Sequence, residues 1–229
     1  MEWQPFRCGV CGAGLGATDE GPARCDNCAA VVSAGPMSRR FIARSRFEDQ
    51  SLGSFSLEDR GVAQGARWGW RDTDGALVVT APPAEVGYPL LFHPGVFDGV
   101  EACVRFRVES GLGPDANVAL WLRVDDQAGA YTVRLYGDGR LTVALRDADA
   151  VREMIAEMQA GDVLSAARSV ELRAALRDDR LHVYVNGASA ASVRCYELDQ
   201  GYFILGLETG AEPLTVALFS LELRQPAGA

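Results

Sequence analysis

The chain has 229 residues, 48% of them apolar, and a formal net charge of −9. Those values suit one small module plus one medium domain with its own core, and they exclude a disordered or fibrous protein. The acidic balance argues against the whole chain as a general binder of nucleic acid or anionic membrane. All 22 basic residues are arginines, as a GC-rich, bacterial genome would produce.

Residues Met1–Pro5 carry neither a basic nor an apolar leader region, so no signal peptide is expected. Two CxxC pairs follow, Cys8/Cys11 and Cys25/Cys28. Each pair places two thiolates on one turn, and two such turns facing each other form a tetrahedral S₄ cage for one structural Zn²⁺. A module of about thirty residues buries too little apolar area alone, and structural zinc contributes on the order of 10–16 kcal/mol. Residues 1–33 are therefore expected to form a metal-stabilised module closed by a short strand at Val31-Val32. CxxC pairs without a leader point to a reducing compartment, the cytoplasm. Cys103 and Cys195 lie far apart in sequence, and whether they pair stays open.

Residues 34–46 read as a linker, with turn residues first and then Arg39, Arg40, Arg44 and Arg46. The plain reading is a solvated hinge; the sharper one is contact with an anionic partner, nucleic acid included. A second domain is expected over 47–224, followed by a tail, 225–229. Its signature is alternating apolar runs separated by Asp74-Gly75, Asp138-Gly139, Asp178-Asp179 and Asn186-Gly187, which are hairpin turns. Ala150–Ala160 fits a helix and an irregular strand equally well. Regular strand spacing with so little helix predicts an all-β, two-sheet antiparallel sandwich. No segment has about 18 consecutive apolar residues, so no membrane-spanning helix is expected.

Period-two alternation places Arg105, Arg107, Trp121, Arg123, Arg134, Tyr136, Arg173, His182 and Tyr184 opposite the core. Arginines with aromatics suit stacking on sugar rings and gripping carboxylates. The competing reading is that long arginine stems cover the sheet and pair with neighbouring acids. His93 and His182 lack nucleophile or metal partners at catalytic spacing and read as structural. Trp68 and Trp70 read as edge packing first and as a glycan platform second.

Several runs carry a family resemblance: Trp70 to Thr80, Glu101 to Val108, Asn117 to Val124, Tyr131 to Leu141 and Asp179 to Gly187. Together they resemble a concanavalin A-like lectin/glucanase jelly roll, nearest the laminin-G-like and 3-keto-disaccharide-hydrolase-like group. The first module is similar to a rubredoxin-type zinc ribbon. The resemblance implies two curved antiparallel sheets, one with a concave outer face that binds glycan or protein. Its glucanases use a Glu-x-Asp-x-x-Glu strand motif. The nearest segment here is Glu197-Leu-Asp199-Gln-Gly-Tyr202, which lacks the second glutamate, so no retaining carboxylate pair is expected. Loop acids hold Ca²⁺ in other members, but Asp125-Asp126 offers no full oxygen set and reads as a polar turn. The expected role is thus non-enzymatic recognition of a glycan or protein partner. A carbohydrate-active hydrolase or lyase is the alternative, and nucleic-acid binding through the ribbon the third.

Overall fold

The computed structural model describes residues 6–7, 14–15, 23–24, 31–32, 41–57, 65–83, 88–111, 113–147, 151–160 and 168–225. The chain divides into two compact units at Arg40/Phe41. In the first unit β1 (Phe6–Arg7) pairs antiparallel with β2 (Gly14–Leu15), and β3 (Ala23–Arg24) with β4 (Val31–Val32). The second pair repeats the frame of the first: Phe6↔Leu15 and Arg7↔Gly14 become Ala23↔Val32 and Arg24↔Val31. The four CxxC cysteines, Arg39 and Arg40 lie outside the described residues.

The second unit is built from strands, and among its described residues the only helix is a 3₁₀ turn at Phe47–Asp49. The strands are β5 (Phe41–Arg46), β6 (Ser56–Leu57), β7 (Arg67–Arg71), β8 (Ala76–Ala81), β9 (Tyr88–Phe97) and β10 (Val100–Ser110). They continue with β11 (Asn117–Asp125), β12 (Gly129–Tyr136), β13 (Arg140–Arg146), β14 (Val151–Gln159) and β15 (Val170–Arg177). The last four are β16 (Arg180–Val185), β17 (Ala188–Arg194), β18 (Gly201–Glu208) and β19 (Leu214–Arg224). One sheet has eight strands in the order β17-β16-β15-β10-β19-β8-β7, with β5 added on β19. The other has seven, β14-β13-β12-β11-β18-β9-β6. All pairings are antiparallel, as the hairpin-rich alternation predicts.

One core lies between the sheets. Val104 and Phe106 of β10, Leu172 of β15 and Leu218 of β19 meet Leu120 of β11, Val133 of β12 and Leu205 of β18, all fully buried. The period of two supplies this face: alternate residues point the same way, and only the inward set is apolar throughout. The expected turns also hold. Asn186 and Gly187 both have positive φ (50° and 79°), the type I′ geometry that matches strand twist.

One segment departs from the sequence reading, and one choice that the sequence left open is decided. Phe41–Arg46, placed in the linker, is a strand: β19 pairs with β8 along its first half and with β5 along its second. Without β5, the half of β19 carrying Leu221 and Leu223 would leave its backbone groups on that side unpaired. Val151–Gln159 takes the irregular-strand option, with register shifts against β13 at Val143/Ala144 and Leu145/Arg146. Ladder bonds to the otherwise open edge of β13 outweigh the helix propensity of its Glu, Met and Ala residues.

Candidate functional site

The two sheets turn their outer faces in opposite directions, and this divides the nine arginine and aromatic candidates. Arg105 and Arg107 (β10), Arg173 (β15), and His182 and Tyr184 (β16) belong to the eight-stranded sheet. Trp121 (β11), Arg134 and Tyr136 (β12) belong to the seven-stranded sheet. They form no single face.

On the eight-stranded sheet several arginines are held by acids, while Arg105 stands exposed on β10 across from Glu171 of β15. Arg71 and Arg107 both contact Asp74 and Glu109, at 2.7 to 3.0 Å, in a closed ring of four charges. Arg173 lies 3.8 Å from Glu101 and stacks on Tyr184, its Cζ 3.9 Å from the ring centroid. Glu222 takes Arg44 at 2.9 Å and also Arg224, which approaches Glu101 at 3.6 Å. His182 sits between Ala175 and Ser192 on neighbouring strands. Arg44, Arg71, Arg107, Arg173 and Arg224 thus serve as partners for acids on this face. Cys103 stands among these charges as a free thiol pushed up to about 12, first by burial and then by Glu171 and Glu222.

Arg123 belongs to neither face. It is 5% exposed, with φ of 49° at a bulge where β11 slips register against both β12 and β18. Its guanidinium donates to Asp98 O, to Leu198 O at 2.6 Å and to Asp178 O at 2.8 Å. One side chain thereby ties three loops at one end of the sandwich. Gly201 is required beside it, because a Cβ there would collide with the backbone of Arg123 and Val124.

The outer face of the seven-stranded sheet is different. Phe92, Trp121 and Tyr202 pack with Val124, Ala130 and Ile204 in an apolar cluster separate from the main core. The register places Phe92, Ile204, Trp121, Thr132, Ala144 and Met154 in one row across β9, β18, β11, β12, β13 and β14. The next row holds Gly206, Ala119, Arg134, Thr142 and Glu157, and the next Glu208, Asn117 and Tyr136. Arg134 donates to Glu208 Oε1 from Nε at 3.0 Å, Arg146 Nη1 reaches the same oxygen at 2.9 Å, and Asn117 Nδ2 donates to Oε2 at 2.8 Å. Arg140 lies over Tyr136, 4.0 Å from its centroid. Tyr202 donates to Asp126 at the rim, at 2.6 Å.

This face is concave. In a flat sheet, three strand spacings and six residues of offset would separate Arg146 from Glu208 by about 25 Å. Two extended side chains and a hydrogen bond span only about 15 Å, so the sheet must curl the two positions toward each other. Ala119, Ala144 and Thr142 form the floor and are fully buried although they point away from the core. Four buried polar atoms in this trough make no hydrogen bond among the described residues: Asn117 Oδ1, Trp121 Nε1, Thr142 Oγ1 and Arg134 Nη2, the last lying 2.8 Å from Glu208 Oε1 as an ion pair only. Such atoms carry a desolvation cost that a bound polar ligand would relieve.

Glu208, Arg146, Asn117, Phe92 and Tyr202 were not singled out from the sequence. Glu208 ends β18, and nothing local in the sequence says that β18 lies beside β11. Of the weaker candidates, Glu197 pairs with Arg152, and its backbone N–H donates to Tyr131 Oη at 2.7 Å. Asp125 accepts the Gln127 and Ala128 N–H groups, each at 2.8 Å, as a polar turn does. His93 accepts Gly95 N–H at 3.0 Å and packs against Phe55 and Phe97; burial lowers its pKa. Trp70 packs on the core and on Phe47, and Trp68 meets it edge-on, 43% exposed. Among the described residues no group of three or more His, Cys, Asp or Glu is placed to hold a metal.

No family model and no curated protein matches the sequence. Solved structures do. The carbohydrate-binding module CBM66 from Bacillus subtilis is 14% identical with a TM-score of 0.53, over 73% of this chain and 94% of that one. A laminarinase from Flavobacterium sp. UMI-01 is 14% identical at TM-score 0.57, over 81% of this chain and 100% of its own. The VIP36 exoplasmic/lumenal domain in a Ca²⁺/Man3GlcNAc-bound form is 14% identical at TM-score 0.55, over 76% of this chain and 83% of its own. The larger unit is a jelly-roll sandwich. At this identity the likeness concerns fold, and function has to be argued from the site. No helix among the described residues is long and apolar enough to cross a membrane.

Proposed function

We propose that the chain is a recognition protein that binds a saccharide in the trough of the seven-stranded sheet. The observation that carries this reading is the Phe92, Trp121 and Tyr202 cluster, outside the core and beside polar atoms that lack partners. Sugar rings present apolar CH faces and a rim of hydroxyls, and such a ligand answers both halves of the surface. The carbohydrate-binding module and the glycan-bound VIP36 domain among the similar folds agree with it. Binding without turnover is the preferred form, because Glu208 is occupied by two arginines and Asn117 and is poorly placed to donate a proton. A glycan array followed by isothermal titration of the full chain tests the proposal. Saturable binding without cleavage is expected; release of reducing ends would replace it with the hydrolase or lyase reading, and absence of binding would end it.

Residues 1–33 supply, in the same proposal, a zinc ribbon in which Cys8, Cys11, Cys25 and Cys28 hold one structural Zn²⁺. The support is the doubled strand frame, since each CxxC falls in the stretch between two paired strands. Four thiolates would leave the ion no open position, so its contribution would be to stability rather than to chemistry. A cytoplasmic setting remains part of this reading on the strength of the cysteines, and a bacterial one on the strength of the lysine-free, arginine-rich composition.

A further inference from the structure

The charge balance of the trough points to the class of saccharide. We infer that the trough selects an acidic saccharide whose uronate carboxylate docks against Arg146 and Arg134; this rests on the saccharide-binding reading above. Two guanidinium groups converge on one carboxylate there. Arg134 Nε and Nη2 lie 3.0 and 2.8 Å from Glu208 Oε1, and Arg146 Nη1 lies 2.9 Å from that same atom. The second oxygen, Oε2, is taken by Asn117. Neither arginine pairs with any other acid among the described residues. One positive charge is therefore left over, at a place where the Arg134 side chain is only 2% exposed.

An uncompensated charge at that depth is unfavourable, and a carboxylate is the group whose geometry matches a guanidinium fork. The other charges of this face do not supply the balance. Arg140 stacks on Tyr136 and faces Asp138 at 3.7 Å, and Glu157 stands exposed on the edge strand β14. Arg146 keeps a fifth of its side chain exposed, so its remaining N–H groups are within reach of an incoming anion. Asn117 Oδ1, Thr142 Oγ1 and Trp121 Nε1 lie on the same face and suit the hydroxyls of the same sugar. A neutral saccharide would satisfy those three atoms but leave the charge as it was. On the eight-stranded sheet the half-buried arginines Arg71, Arg107, Arg173 and Arg224 meet acids in a closed ring and a chain.

The test is titration of the full chain with hexasaccharides of galacturonate, alginate and hyaluronan, each beside its carboxyl-reduced counterpart, and with laminarihexaose as a neutral reference. The inference expects at least one acidic ligand to bind about tenfold or more tighter than its reduced partner. Arg146→Met should remove that preference while the protein unfolds at a similar temperature. Arg146→Lys, which keeps the charge and loses the fork, should fall between. Equal binding of acidic and reduced ligands, or binding of laminarihexaose alone, overturns the acid preference and leaves saccharide binding standing. Binding of none overturns both.

Discussion

Arg146 Nη1 and Glu208 Oε1 lie 2.9 Å apart although β13 and β18 are separated by two intervening strands. That contact records the curvature of the sheet and centres a small network on one carboxylate. Glu208→Gln should lower the unfolding free energy by about 2 kcal/mol, because Arg134 is then buried without a charge partner. Adding Arg134→Met should recover most of the loss. Urea denaturation of the two variants decides; additive losses would mean that the pair is not coupled.

Trp121 should matter for ligand more than for folding. It packs on the satellite cluster rather than on the main core, and its Nε1 has no hydrogen-bond partner among the described residues. Trp121→Ala is expected to weaken the saccharide found by array by about tenfold, while Trp121→Phe retains part of the affinity. Titration of both variants against the parent chain is the measurement, and unchanged affinity would move the site elsewhere.

Arg123 makes a different kind of prediction. Its guanidinium satisfies carbonyls of Asp98, Asp178 and Leu198, so Arg123→Met should destabilise the sandwich by about 2–3 kcal/mol. Amide hydrogen exchange should quicken locally around Asp98-Gly99, Asp178-Asp179 and Leu198, with the strands still protected.

Acid should destabilise the protein in two windows. Burial lowers the pKa of His93 below 6.5, so the unfolded chain takes up that proton first and stability falls as pH drops below 6.5. Asp74 and Glu109 are held below 3.8 and 4.5 by hydrogen bonds from Arg71 and then Arg107. Their contribution is complete above those ordinary values and is lost as pH falls through the lower folded ones. Urea midpoints measured from pH 7.5 down to pH 3 check this. His93→Asn should flatten the upper window, and Asp74→Asn with Glu109→Gln the lower.

Thiol counting separates the two kinds of cysteine. In the native chain Cys103 and Cys195 should react slowly with a disulfide reagent, since burial pushes both thiols up to about 12. Chelation should expose four fast thiols and release one equivalent of zinc. Six equally slow thiols with no metal released would remove the ribbon from the proposal.

Much of the fold was already legible in the sequence, because it is written in short-range terms. Asp74-Gly75, Asp138-Gly139 and Asn186-Gly187 marked hairpins, and period-two runs such as Val118–Val124 marked strands with one buried face. Where local preferences were balanced, pairing decided. Val151–Gln159 became a strand because β13 had an open edge, and Phe41–Arg46 joined β19 for the same reason.

Sequence alone also determined that arginines and aromatics would stand outside the core, since the pleat alternates whatever the partners are. Which of them meet was settled only in three dimensions. Sheet order sent Arg173 and Arg107 to a face where Glu101 and Glu109 hold them, and a bulge turned Arg123 into the loops. It also carried Glu208 from the end of β18 to Arg134 and Arg146. Those contacts join residues 62 to 74 positions apart, and a period of two holds no record of which strand will lie alongside.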